Sequence, residues 1–182
     1  MIRTIRLARV LREAVETPYR DLVTRTTGAA VRGSIEREIA QASAPTTLLD
    51  FTSVGLVDFS CADEVVAKLL LGAPADEDHY VVLLGLTEDH SEAIDHVLSH
   101  HRLAILVLGS EDTDGSPQVL GALRPDLREA LACVHRSGPG DASTVAADLE
   151  WPVERAADAL QALGLLRLVQ VKGGTFRPIP KQ

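Results

Sequence analysis

Aromatic side chains are scarce in this sequence: three Phe, two Tyr and one Trp make up 3% of 182 residues. A core must therefore come from Leu, Val and Ala, and the 46% apolar content supplies them. Cysteine is scarcer still. Cys61 and Cys133 are too few for a disulfide framework or a zinc site. No apolar run approaches the roughly 18 to 20 residues of a membrane span. The N-terminus MIRTIRLARVLRE interleaves Arg with apolar residues, where a signal peptide carries a continuous apolar core. These absences predict a globular protein of a reducing cytoplasm, with no membrane association.

Basic charge is missing from the middle of the chain. Residues 1–49 carry +3, residues 50–121 carry −12 and residues 122–182 carry +1, within a net charge of −8. An acidic middle repels nucleic acid and anionic membranes. Any DNA contact must come from the first or the last third.

Hydrophobic periodicity divides the chain in two. Residues 4–11 read as an edge strand, and 12–26 are ambiguous. Thr26-Thr27-Gly28 reads as a helix start, with Ala30, Val31, Ile35 and Ile39 at helical spacing up to Gln41. Continuous apolar runs predict buried strands at Thr47–Phe51, His79–Leu86 and Leu103–Leu108. A shorter run, Val54–Val57, reads as a further strand end. Helices are expected over Ala62–Leu71 and Asp89–His101, a turn over residues 72–78 and a solvated loop over residues 111–116. The alternation predicts an α/β unit with a partly parallel sheet. Near Leu120 the pattern changes to helix, helix, helix, hairpin. Pro125–Arg136 forms the first helix. Asp141 or Ser143 caps the second, which ends near Leu149. The third opens at Trp151-Pro152 and stops at Gly164. A hairpin follows, Leu165–Val171 and Thr175–Ile179.

Two elements carry a resemblance. Leu49-Asp50-Phe51, Val54 and Phe59-Ser60-Cys61-Ala62-Asp63-Glu64 form one; Arg25, Gly28, Arg32 and Ile35 form the other. Together they resemble the STAS superfamily, and more closely a STAS-like bacterial and archaeal family of unknown function. The resemblance spans about residues 1–110 and implies a STAS-like mixed sheet with helices over residues 1–115. It implies partner switching: in STAS antagonists a histidine-kinase-like ATPase phosphorylates a serine at the helix start, and the phosphate breaks the complex. The phosphoacceptor position, directly after the Asp, is Phe59 here, and the second serine of the motif is Ser60. Asp58, Phe59, Ser60 and Asp63 are thus the candidate partner or phosphorylation surface.

The residues leave other readings open. Ser60 is placed as a helix N-cap worth about 1 kcal/mol. Asp50 and Asp58 could form an acid–base pair, but no His, Lys or nucleophile accompanies them in the segment, so no catalytic residue is expected. Arg25, Gly28 and Arg32 are a candidate anion site, against a plain Arg32–Glu36 ion pair. Cys61 is a small core residue or a thiol activated at a helix start. His96 and His100 share a helix face at metal-ligand spacing but lack a third ligand, so neither a metal nor a cofactor is expected.

Residues 120–182 resemble a winged helix-turn-helix module, on the Ala-rich second helix, the ending Leu160-Gln161-Ala162-Leu163-Gly164-Leu165-Leu166 and the hairpin. The resemblance implies a third helix able to enter a DNA groove. Arg155, Gln161, Lys172, Thr175 and Arg177 are the candidate DNA residues. Glu154 and Asp158 on the same helix oppose them, which favours a protein-docking or homodimerising module.

Overall fold

The computed structural model describes residues 1–16, 20–74, 77–111 and 117–179. The architecture is mixed α/β. Five strands lie in sequence order, β1 (Ile2–Arg6), β2 (Thr46–Asp50), β3 (Tyr80–Leu84), β4 (Ala104–Glu111) and β5 (Pro117–Gly121). The first four are parallel and β5 runs antiparallel to β4.

Period-2 alternation sends each strand's side chains to two different cores. Ile5, Leu49, Leu83, Ile105, Val107 and Leu120 face one cluster, closed by the helices that link the strands. These are α1 (Leu7–Val15), α2 (Arg25–Ala40), a helix built of α3 (Phe59–Ala62) and α4 (Lys68–Gly72), and α5 (Glu88–His100). Leu48, Tyr80, Val82, Ala104, Leu106 and Val119 face the other cluster. It is closed by α6 (Pro125–Ser137), α7 (Ala142–Leu149) and α8 (Val153–Leu165), which precede the hairpin β6 (Val169–Lys172) and β7 (Thr175–Pro178). The sheet is apolar on both faces because both are covered, which is why its strands read as unbroken apolar runs. Arg167 ties the last unit to the segment entering the central strand β3 by donating to the carbonyls of His79 and Pro74.

Several expected elements differ. The edge strand expected over residues 4–11 ends at Arg6, and α1 follows at once. Leu7, Val10 and Leu11 are buried on one face of a helix, a spacing that a short alternation with Arg imitates. Helix α2 starts at Arg25, three residues before Gly28, because the Thr24 side chain caps it. Val54–Val57 is not a strand: Val57 only bridges Leu22, and the stretch is a loop. The strand β5 was hidden, since its apolar pair Val119-Leu120 is too short to stand out between Pro117 and Gly121. It places the sheet's last strand beyond residue 115. Most of the loop expected at 111–116, and residues 75–76 of the turn expected at 72–78, lie outside the described residues. In the last third, Asp141 caps α7 through the Thr144 amide at 2.9 Å, and α8 runs one residue past Gly164.

The helix after β2 is compound. Its α3 segment (Phe59–Ala62) passes into a π-helical turn, Asp63–Ala67, and then into α4 (Lys68–Gly72). π-turns inside α-helices occur frequently at functional sites. Among the described residues, no helix is long and apolar enough to cross a membrane.

Candidate functional site

The loop that feeds α3 is pinned along its length. Asp50 Oδ1 accepts the Thr52 amide at 2.8 Å. Gly85 has φ +72°, and a Cβ there would collide with the Thr52 hydroxyl and amide, so the β3 turn packs directly against this loop. The Gly55 amide donates to Arg20 O at 2.7 Å, Leu22 N to Leu56 O at 2.7 Å, and Asp58 N to Leu22 O at 3.0 Å. Asp21 Oδ1 accepts the Leu56 amide at 2.8 Å. From the other side, buried His90 sits 2.6 Å from Gly55 O through Nε2, while its Nδ1 closes a capping box with Thr87.

This scaffold displays apolar side chains. Leu56 is 63% exposed and Phe59 53%, with exposed Val23 on the adjoining segment. The Phe59 ring packs tilted, at 46°, against His96 of α5, with 4.8 Å between centroids.

Asp58, between Leu56 and Phe59, is the N-cap of α3. Its Oδ1 accepts the Cys61 amide at 2.7 Å and the Ser60 hydroxyl at 2.8 Å, and its Oδ2 accepts the Thr24 amide at 3.1 Å. The expected capping role of Ser60 therefore belongs to Asp58, because a carboxylate is the stronger acceptor for the free amides of a helix start. Burial works to raise the Asp58 pKa, but these three hydrogen bonds hold it below the usual carboxylate range. Asp50 and Asp58 are each committed to neighbouring amides. Cys61 donates to Thr24 O at 2.9 Å. Burial, then the charge of Asp58, pushes its thiol up to about 12, so the helix start does not activate it.

The two motif elements meet in space. Helix α2 crosses α3 so closely that a Cβ on Gly28 would lie 3.1 Å from Cys61 Cα and 2.9 Å from Glu64 Cβ. Arg25 Nη1 reaches Asp63 at 2.8 Å and Glu64 at 2.9 Å. Arg32 Nη2 lies 3.3 Å from Glu64 Oε2, without hydrogen-bond alignment, and its Nη1 lies 3.4 Å from Glu36. Lys68 closes on Glu64 from the next turn, and His101 Nε2 meets Asp63 Oδ1 at 2.7 Å. Glu64 is only 3% exposed. Burial works to raise its pKa; hydrogen bonds from Lys68 and Arg25 outweigh it and hold the group below its usual range. Burial likewise opposes, and Arg25 and His101 outweigh, at Asp63. The anions held by Arg25 and Arg32 are thus the chain's own carboxylates. The sequence had no signal for His101 as a partner of Asp63, nor for the π-turn.

The histidines are dispersed among these roles. His96 and His100 stay on the exposed face of α5, and among the described residues no three metal-capable side chains converge. In the last unit the Arg155 guanidinium lies 3.9 Å over the Trp151 ring, and Gln161, Lys172 and Arg177 are exposed, with Thr175 half-buried. No protein-family model matches this chain, and no characterised protein matches it in sequence.

Proposed function

We propose that this chain is a non-enzymatic cytoplasmic regulator whose α/β unit binds a protein partner at the mouth of α3, through Asp58, Phe59, Ser60 and Asp63 with Leu56. The observation that carries this reading is the exposure of Leu56, on a loop held by hydrogen bonds on both sides, and of Phe59, the first residue of the helix it feeds. Large apolar groups fixed in a rigid frame lose little entropy on docking, and aromatic anchors of this kind dominate interfaces. The carboxylates nearby are engaged with amides and guanidinium groups, a chemistry of shape and recognition. The STAS resemblance supplies the class of partner, a histidine-kinase-like ATPase, and the last unit, read as a winged helix, supports the assembly.

A second reading is a DNA-binding regulator with the α/β unit as sensor or dimerisation module. It is favoured by the order of three helices and a hairpin, by the bridge between Gly140 and Phe176 that joins the α6–α7 connection to the hairpin, and by Lys172, Thr175 and Arg177. It is opposed by Glu154 and Asp158 on the exposed face of α8 and by the engagement of Arg155 on Trp151. Affinity capture of the tagged chain from lysate, with and without nuclease, separates them. The first reading expects a stoichiometric protein partner that survives nuclease and is lost in Phe59→Ala and Leu56→Ser. Recovery of DNA alone, released by high salt, would replace it with the second.

A further inference from the structure

The apolar pair at the mouth of α3 has an acidic border, and the contacts of α5 fix which of its edges supplies it. His90 Nε2 lies 2.6 Å from Gly55 O, which sets the N-terminal half of α5 beside the loop that carries Leu56. Further along the helix the His96 ring packs against Phe59. On the opposite edge Asp95 Oδ1 accepts the Gly121 amide at 2.7 Å, so that edge faces β5. At 3.6 residues per turn, Glu92 lies one turn and Asp89 two turns before His96, on the edge toward Phe59. Both carboxylates are exposed, and among the described residues neither makes an ion pair. An acid in the first turn, such as Asp89, suits the free amides of a helix start. Glu92, in the second turn, has no such role. Across the loop, Asp21 and Asp58 add carboxylates that accept amides. Arg25 is taken up by Asp63 and Glu64, and exposed Arg20 offsets a single charge beside Asp21.

We propose that the partner docked at the α3 mouth presents an apolar segment flanked by basic residues, chiefly Arg, with the bases lying along the α5 edge. The inference rests on the reading of this mouth as a protein-docking site, and it names the chemistry of the partner's face. Leu56 and Phe59 supply the anchor, and Asp89 and Glu92 supply the rim. A charged rim steers encounter and selects among partners more than it adds affinity. An acidic segment of the same shape is rejected, because its carboxylates would meet those of α5. Arg also suits the exposed Phe59 ring, whose face attracts a guanidinium.

Selection of a displayed random peptide library on the full chain, with counter-selection on Phe59→Ala, tests it. Enriched sequences should combine Leu or an aromatic residue with an excess of Arg and Lys. Fluorescence anisotropy of an enriched peptide should show affinity falling several-fold as salt rises. Asp89→Asn with Glu92→Lys should weaken binding at least about tenfold, mainly through the association rate. Glu77→Lys with Asp78→Asn makes the same change of charge before β3, at the other end of the sheet, and should leave affinity within about twofold. All four positions are exposed, so circular dichroism should be unchanged. Phe59-dependent peptides with no excess of bases, or equal losses in the two charge variants, overturn the basic partner and leave the docking site standing. A library that yields no Phe59-dependent peptide overturns the docking reading as well. Self-association of the chain that Phe59→Ala abolishes, seen by sedimentation velocity, would give the site to a second copy instead.

Discussion

Ser60 donates its hydroxyl to Asp58 Oδ1 at 2.8 Å, so the serine at the mouth of α3 supports the cap rather than forming it. The two residues therefore differ in cost when removed. Asp58→Ala strips the Cys61 amide and the Thr24 amide of their acceptor and should destabilise by about 1–2 kcal/mol, the upper range for a lost cap. Ser60→Ala removes one supporting hydrogen bond and should cost about 0.5–1 kcal/mol. Urea unfolding of the two variants measures the difference, and equal costs would return the cap to Ser60.

Glu64 gathers three cations, and its removal should be the more damaging change. Glu64→Ala leaves Arg25, Arg32 and Lys68 around an empty acidic position. Losing one member of a fully buried pair costs about 3–5 kcal/mol. Arg25 is 55% exposed at its side chain and Lys68 39%, so water screens part of the uncompensated charge, and about 2–3 kcal/mol is expected. Glu64→Gln keeps the volume and should cost less. Chemical denaturation of both variants checks the order.

Much of this arrangement was legible in the sequence, and the illegible parts share a cause. The three inner parallel strands, β2, β3 and β4, and the last three helices announce themselves, because each is a long pattern set by burial on a known period. The pairing of Arg25 with Asp63 and of Arg32 with Glu64 was not legible, since partners 38 and 32 residues apart leave no local spacing. Leu56 reads as part of an apolar run, and only the tertiary bond between Leu22 N and Leu56 O turns that run into a loop with its side chain outward. The π-turn at Asp63–Ala67 has no local signal at all, because its residues are ordinary helix formers or β-branched core residues and tertiary packing selects the extra residue.

The lowered carboxylates fix the sign of the pH dependence. In Asp58, Asp63 and Glu64, and in Glu38 beside Arg9 and Arg3, the folded pKa lies below the unfolded value. Each contributes stability that is complete above the unfolded value, roughly 4, and that is lost as pH falls through the folded one. Thermal melting should be flat in this contribution from about pH 7 to pH 5 and fall steeply below about pH 4. Asp58→Asn and Glu64→Gln should each make the acid slope shallower. A slope unchanged in both variants would place the linkage in other groups.

The thiols make the last expectation. Burial, then the charge of Asp58, pushes Cys61 up to about 12, and burial raises Cys133 as well. At pH 8 almost no Cys61 thiolate is present, and its Sγ is sealed between α2 and α3. An aromatic disulfide reagent should then label the native chain only at the rate at which the structure opens, and that rate should be insensitive to pH between 7 and 9. Urea should release both thiols to rapid labelling. Rapid stoichiometric labelling of Cys61 in the native state, rising with pH around 7, would show an activated thiolate at the α3 mouth. Asp58→Asn gives the internal control. Removing the like charge should lower the thiol pKa, while loss of the cap should speed opening, and the two effects separate because only the first changes the pH profile.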